Sequence, residues 1–458
     1  MKIKKYILPI GMVILSLAIL GLIFSNYLTD EYAPKAKKNI TTVLPNTKLL
    51  VVAPHSDDEA LGCGGYIQKV INQHGTVKIV ILTNGDKSKT TAQKLYKTKE
   101  IKPKKYLQLT QQRYQESTRA MGKLGVSKKD LVFLGYPDGG TASMWEKNWE
   151  PNKPYRDKLT KANKNPYDFA YRPDMAYSGN SEARNLETII ADFKPTLVLY
   201  PHPDDHHRDH WVSYAYVKNA LVRTQLKKKP QELTYLVHYS GWPAPLGAKP
   251  SAWLKPPKSL ESGGYDWYNL PLSTKEIEKK SAAIQTYRSQ IKHSKEFLTS
   301  FDRKNELYCT APVVNLSSDA GSTILPNPES DYLFRFLQTF GGIKNITIKK
   351  SNSKVTLNCQ TKTLLNPLYG YITSITILSK QGPPEKLDII IKNGQIKTMY
   401  YNDKSNWKGS IKVTTHKRSI ITTIDTPTKE PLYLLLSARI EAKNKTLDRT
   451  AWKMVKIK

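Results

Sequence analysis

The sequence predicts an α/β fold, a mostly parallel sheet with helices on both faces. An all-β, sandwich-like domain is expected after it and a membrane-spanning helix before it. Three observations carry this. From Lys48 to about residue 300, short β-branched and aliphatic runs alternate with segments of helical spacing, the pattern of a parallel sheet covered on both sides. Beyond Pro326 the helical spacing stops, and strand-like runs follow one another between turn signals such as Asn393-Gly394 and Asn402-Asp403, as in a sandwich. Tyr6 to Phe24 is apolar and uncharged, about the length that crosses a bilayer as a helix.

The elements follow in chain order. Met1-Lys2-Ile3-Lys4-Lys5 is basic, and Ser25-Asn26-Tyr27-Leu28 has no small-residue cleavage site, so residues 1–28 read as an uncleaved signal anchor. The leading lysines should stay cytoplasmic, which puts the rest of the chain outside, on the outer face of the membrane. Residues 29–46, polar and holding Pro34 and Pro45, read as a stalk. Residues 47–325 form the α/β domain. Its strands are expected at Leu49–Ala53, Val77–Leu82, Leu131–Leu134, Thr196–Tyr200 and Leu233–Tyr239. Helices are expected at Ala60–Gln73, Leu107–Leu124, Leu186–Phe193 and Trp211–Val222, with one long helix at Ile277–Leu298. Between Asp138 and Ser181 lies an aperiodic stretch with Trp145, Trp149, Tyr155, Tyr167, Tyr171 and Tyr177. It suits stacking on sugar rings or a packed surface loop. Residues 326–458 form a β-rich accessory domain without clustered histidines or carboxylates, which either braces the first domain or binds polysaccharide.

Bulk properties narrow the function classes. With 458 residues, 39% of them hydrophobic and 24% charged, the chain is globular and holds more than one folded unit. Lys+Arg 71 against Asp+Glu 39 gives +32, which favours anionic partners such as an acidic cell-surface polymer. There is no zinc finger, basic zipper or RNA-binding signature, so a specific nucleic-acid site is not expected. Cys63, Cys309 and Cys359 include no CxxC pair. Cys309 and Cys359 either pair outside the cytoplasm or stay as buried thiols with Cys63.

The chemistry concentrates at two strand ends. The first strand runs into Pro54-His55-Ser56-Asp57-Asp58-Glu59. Adjacent carboxylates repel unless a cation compensates, and imidazole and carboxylate are both zinc ligands. His55 and Asp58 can face one metal, with Asp57 free beside it. The fourth strand runs into His202-Pro203-Asp204-Asp205-His206-His207-Arg208-Asp209-His210. His207 and His210 are three apart, so one helical turn can present both on one side. If His210 joins His55 and Asp58, the metal has three protein ligands and an open fourth place, the arrangement of a catalytic zinc. Ligands of such sheets sit beyond the carboxyl ends of the strands. His238, at a later strand end, can line the same place. His74 and His293 read as surface residues and Cys63 as packing.

His55-Ser56-Asp57-Asp58-Glu59 resembles the AHPDDE motif of the PIG-L/LmbE-like de-N-acetylases, and His207-Arg208-Asp209-His210 is similar to that family's HxDH motif. Arg113-Tyr114-Gln115-Glu116 resembles its RxxE helix, and Gly135-Tyr136-Pro137-Asp138-Gly139 its aspartate-bearing loop. The family includes N-acetylglucosaminyl-phosphatidylinositol deacetylase and the deacetylases of mycothiol and bacillithiol synthesis. The resemblance covers about residues 47 to 310. It implies a Rossmann-like fold and one zinc ion on His55, Asp58 and His210. It also implies Asp57 as general base, His207 as general acid, Asp209 as the group orienting that acid, and Arg113 and Asp138 as contacts to sugar hydroxyls. The expected substrate is an N-acetylated amino sugar outside the cell, a polysaccharide, wall polymer or glycolipid; a non-catalytic carbohydrate-binding protein is the competing reading. Two positions depart from the pattern. Ser56 replaces the motif's proline, and Asp205 stands where some members carry a tyrosine thought to support the oxyanion.

Overall fold

The computed structural model describes residues 36, 38–40, 42–317, 321–326, 342–392, 395–400, 409–425, 433–443 and 445–457. The apolar run expected to cross the membrane lies outside them. Among the described residues no helix is long and apolar enough to do so.

Eight strands build the first sheet: β1 (Lys38–Asn39), β2 (Lys48–Ala53), β3 (Thr76–Thr83), β4 (Leu131–Tyr136), β5 (Leu197–Pro201), β6 (Gln231–Tyr235), β7 (Asp266–Pro271) and β8 (Asn305–Thr310), in the order β1-β7-β8-β6-β5-β2-β3-β4. The helices are α1 (Asp58–Asn72), α2 (Lys89–Tyr96), α3 (Pro103–Lys123), α4 (Thr141–Glu146), α5 (Gly179–Phe193), α6 (Arg208–Thr224), α7 (Thr274–Ile284) and α8 (Arg288–Thr299). From β4 to β6 every pairing is parallel, and β8 runs antiparallel to β6 and β7. The central strands β2, β3 and β5 are largely apolar because both faces are covered. Leu49, Val51 and Ala53 point into one core with Ile79 and Ile81, while Leu50 and Val52 point into the other with Val80 and Leu82.

The order places the site. From β2 the chain steps outward to β3 and β4, then returns to β5 on the other side of β2. The crevice between β2 and β5 is therefore a topological switch point, where open α/β sheets bind ligands. The two polar motifs leave these two neighbouring strands.

Among the described residues the second half holds a five-stranded and a seven-stranded sheet, both almost wholly antiparallel. They face each other across one core, with Ile348, Leu357 and Ile424 from one sheet against Ile375, Ile389 and Leu436 from the other. The halves are not independent. Leu378, Leu435, Trp452 and Met454 enter the apolar cluster that also holds Trp211 and Tyr214 of α6. The buried Lys386 ammonium donates to the Trp145 carbonyl at 2.5 Å and lies 4.1 and 3.5 Å from the Trp145 and Trp149 rings.

Several expectations change. The residues assigned to a stalk, 29–46, include Lys38–Asn39, which add an edge strand parallel to β7, and Val43, which is buried. Backbone pairing at an edge needs no apolar signature. The expected long helix is two, α7 and α8, broken between Ile284 and Arg288. The β-rich half begins with Val313–Leu316, ahead of the 325/326 boundary. In the aperiodic segment Trp145, Trp149, Tyr167 and Tyr177 are buried and Tyr155 and Tyr171 partly so, which leaves them packing the core instead of offering faces to sugars. All three cysteines are free and buried.

Candidate metal centre

The loop after β2 is held from several sides. Asp57 caps α1 with φ 138°, a region that costs a side-chain-bearing residue about 1–3 kcal/mol and is kept only where the surroundings enforce it. Its N–H donates to Glu59 Oε2 at 2.8 Å. Glu59, wholly buried, also accepts from the hydroxyls of Ser117 on α3 and Tyr287, the latter at 2.7 Å. Arg113 on α3 donates through Nη2 to the Ser56 carbonyl at 2.7 Å and to Asp57 Oδ2 at 3.3 Å, and through Nη1 to the Gly85 carbonyl at 2.9 Å. The guanidinium packs so closely on Gly85, where φ is 61°, that a Cβ there would meet it at 2.2 Å. The loop that lost the motif's proline is thus stiffened by Arg113 and Glu59.

The loop after β5 is held by Asp205. Its Oδ1 accepts the His207 N–H at 2.9 Å. Its Oδ2 accepts the Val237 and His238 N–H groups at 3.1 and 3.0 Å and lies 3.1 Å from His210 Nδ1. His207 caps α6 by accepting the Asp209 N–H on Nδ1 at 3.3 Å. Asp209 and His210 follow in the first turn, both wholly buried. The β-rich half reaches the same loop, since Arg449 Nη2 donates to the Asp205 carbonyl at 2.5 Å. Lys453 donates to the Tyr265 hydroxyl at 3.2 Å, which in turn donates to Asp204.

The two loops meet. Asp58 Oδ2 lies 3.1 Å from His55 Nδ1 and 3.0 Å from His210 Nε2, and the two nitrogens are 3.1 Å apart. Asp57 stands next to this triad. His238 joins it in a set whose ligand atoms all lie within 4.8 Å of one another. His55 presents its other nitrogen to a second group, with Nε2 3.2 Å from Asp209 Oδ2 and 3.5 Å from Asp138 Oδ1. The Asp209 carboxylate also accepts from the Gly139 N–H at 2.5 Å and from the Thr141 hydroxyl. The His207 ring meets the His55 ring edge-on at 4.5 Å.

The electrostatics suit a cation. Two imidazole nitrogens lie in direct contact with one carboxylate oxygen, and buried Asp58 Oδ1 has no partner among the described residues. Burial works against a charge on His210, yet the carboxylates of Asp205 and Asp58 hold its pKa up at about 9. Burial raises Asp57 to about 7 against the pull of Arg113. Burial would raise Asp138 and Asp205 as well, but neighbouring histidines keep both well below the usual carboxylate range. Burial and the neighbouring His55 lower His207 to about 4. Protons alone reconcile the His55–Asp58–His210 contacts poorly. One dication among two nitrogens and an oxygen reconciles them, and that donor set suits zinc. Asp205 behind His210 and Asp209 behind His55 are the carboxylates that fix ligand rings in such centres.

The predicted site residues thus converge, with two changes of part. Arg113 is 4% exposed, and its Nη donors are spent on Gly85, Ser56 and Asp57, holding the Asp57 loop. The Asp209 carboxylate bonds His55, and its link to His207 runs through its backbone N–H. Asp138 lies inside the site against His55. Two participants have no role in the sequence reading: Asp205, and His238, which is placed only as able to line the site. Asp205 was read only as a missing tyrosine, while His238 follows β6, the strand paired with β5, so strand order was the signal for both.

Residues 50–221 match the PIG-L family, described as GlcNAc-PI de-N-acetylase. No curated protein matches the sequence. Solved structures similar to this chain include the conserved protein TT1542 from Thermus thermophilus, 20% identical over 56% of this chain and 84% of that one, TM-score 0.33. N,N'-diacetylchitobiose deacetylase from Pyrococcus horikoshii is 18% identical over 57% and 83%, TM-score 0.36. GalB, the 4-carboxy-2-hydroxymuconate hydratase from Pseudomonas putida KT2440, is 15% identical over 55% and 82%, TM-score 0.33.

Proposed function

We propose, from the PIG-L-family domain that this chain carries, that it is a zinc-dependent hydrolase removing the acetyl group from an N-acetylated amino sugar and releasing acetate and a free amine. Family membership supports a metal-dependent deacetylase. The observation that carries the reading to these residues is the meeting of His55 Nδ1, Asp58 Oδ2 and His210 Nε2 at 3.0–3.1 Å, with Asp57 alongside.

His55, Asp58 and His210 would hold the ion, and the chemistry it supplies is polarisation of the amide carbonyl and acidification of water. The residues do the rest. Asp57, kept near the triad by Arg113 and its own strained backbone, takes the proton of the attacking water. His207, across the His55 ring, delivers a proton to the departing nitrogen; its own value is lowered to about 4, so the proton it passes on is the one that Asp57 takes from the water. Asp209 fixes the tautomer of His55 through Nε2, leaving Nδ1 for the ion. Asp138 and the backbone of Gly139 line the opposite wall, where the sugar would lie.

The site of action is part of the proposal. Residues 1–28 would anchor the chain in the membrane with the domains on the outer face, and the +32 charge would favour an anionic cell-surface polymer, wall polymer or glycolipid bearing GlcNAc-type units. The experiment is acetate release by the full chain from a panel of N-acetylated glycans, with and without chelator. Release that disappears with chelator and returns with zinc supports the reading. A chain that binds the glycans yet frees no acetate from any would be a carbohydrate-binding protein instead.

A further inference from the structure

The geometry points to His238 as a catalytic residue, the donor that supports the oxyanion formed when the amide carbonyl is attacked. The inference rests on the hydrolytic reading above. It supplies the function that the tyrosine missing at position 205 would have served.

The position at 205 is closed to that task. Asp205 is buried and anionic, and both its oxygens are occupied by backbone N–H groups and the His210 ring. Other polar groups of the centre are engaged too. The Thr141 hydroxyl donates to Asp209, Arg113 grips the Asp57 loop, and His207 Nδ1 accepts a backbone N–H.

His238 is held firmly and its ring is unspent. Its N–H is bound by Asp205 Oδ2, the same oxygen that faces His210, so one carboxylate sets both residues. The ring stacks on Phe297, centroids 5.3 Å apart at 12°, and its centroid lies 4.7 Å from that of His210 and 5.2 Å from that of His207. Among the described residues no hydrogen bond engages its ring nitrogens. A half-buried imidazole, fixed in plane and facing the triad, is a preorganised donor.

His238 offers a ligand atom within 4.8 Å of those of His55, Asp58 and His210, near enough for its N–H to reach an oxygen held at the open place beside the triad. Zinc affinity distinguishes that donor from a fourth ligand.

The test compares the full-length wild type with His238→Ala and His238→Gln in three measurements: zinc affinity by chelator competition, affinity of the zinc-loaded protein for acetohydroxamate, whose oxygen stands in for the oxyanion, and kcat and KM for acetate release from N-acetylated chitooligosaccharides. For His238→Ala we expect zinc affinity within about threefold of wild type and acetohydroxamate binding at least tenfold weaker. We expect kcat to fall about 100-fold, the scale of losing one oxyanion donor, with KM little changed and partial recovery in His238→Gln, whose amide can still donate. Zinc affinity falling more than tenfold in both variants would make His238 a ligand and overturn the proposal, as would unchanged acetohydroxamate binding. A wild type that frees no acetate refutes the hydrolytic reading, and the two titrations then still decide on His238.

Discussion

Asp205→Asn tests the second layer of the centre. The carboxylate makes four contacts: three backbone N–H groups at 2.9–3.1 Å and His210 Nδ1 at 3.1 Å. Asparagine keeps the shape and one acceptor oxygen, but its amide turns donors toward groups that are themselves donors on one side. It also removes the charge that orients the His210 ring with Nε2 toward Asp58. Carboxylates behind metal-binding histidines typically matter 10–100-fold in metal affinity, about 1.4–2.7 kcal/mol. Asp205 is wholly buried, so the upper end is expected. Zinc affinity by chelator competition reads this directly, with circular dichroism confirming the fold. An affinity within threefold of wild type would refute the claim that Asp205 holds His210 in its ligating pose.

Four further outcomes follow from the same geometry. Asp57→Asn should lower kcat by about 10²–10⁴, the range for removing a general base, while zinc affinity moves less than tenfold; a comparable loss of both would make Asp57 a ligand. Asp57 sits near 7 without metal and must be deprotonated to act; a dication beside it lowers that value, so the acid limb of kcat/KM should fall below pH 7, and a limb above 7 would contradict the assignment. His210 holds a proton below about pH 9 in the metal-free protein, so zinc must displace it; apparent affinity should rise with pH about tenfold per unit per proton released, and calorimetry in buffers of different ionisation enthalpy should show that release. Lys280→Met breaks the buried pair with Glu306, 2.6 Å apart; it should cost about 3–5 kcal/mol of stability by urea unfolding, and a loss below 1 kcal/mol would mean that the other donors to Glu306 suffice.

What could be read from the chain followed burial. Leu49–Ala53 is legible because every residue of that run is buried on one face or the other of the sheet, and the ligand residues because carboxylates and histidines that dense have few other uses. β8 was missed because its polar residues carry tertiary tasks. Glu306 accepts from the Gly65 and Tyr66 N–H groups and from Lys280, and Asn305 bonds the backbone of Leu254. The break between α7 and α8 was invisible for a similar reason, since Tyr287 at that break bonds Glu59, a partner far away in sequence. Asp205 and His238 acquire meaning only once β5 and β6 are known to be neighbours. Arg113 was placed by likeness alone, and its burial against Gly85 changed its part.

In the proposed enzyme one cation sits between His55 Nδ1, Asp58 Oδ2 and His210 Nε2. A second cluster, His55 with Asp138, His207 and Asp209, offers a competing place on the other nitrogen of the same ring. Diffraction from zinc-soaked crystals at the zinc absorption edge separates them. The account predicts one anomalous peak about 2.0–2.2 Å from the first three atoms; a peak on the Asp138–His207–Asp209 side, or none at either place, would contradict it.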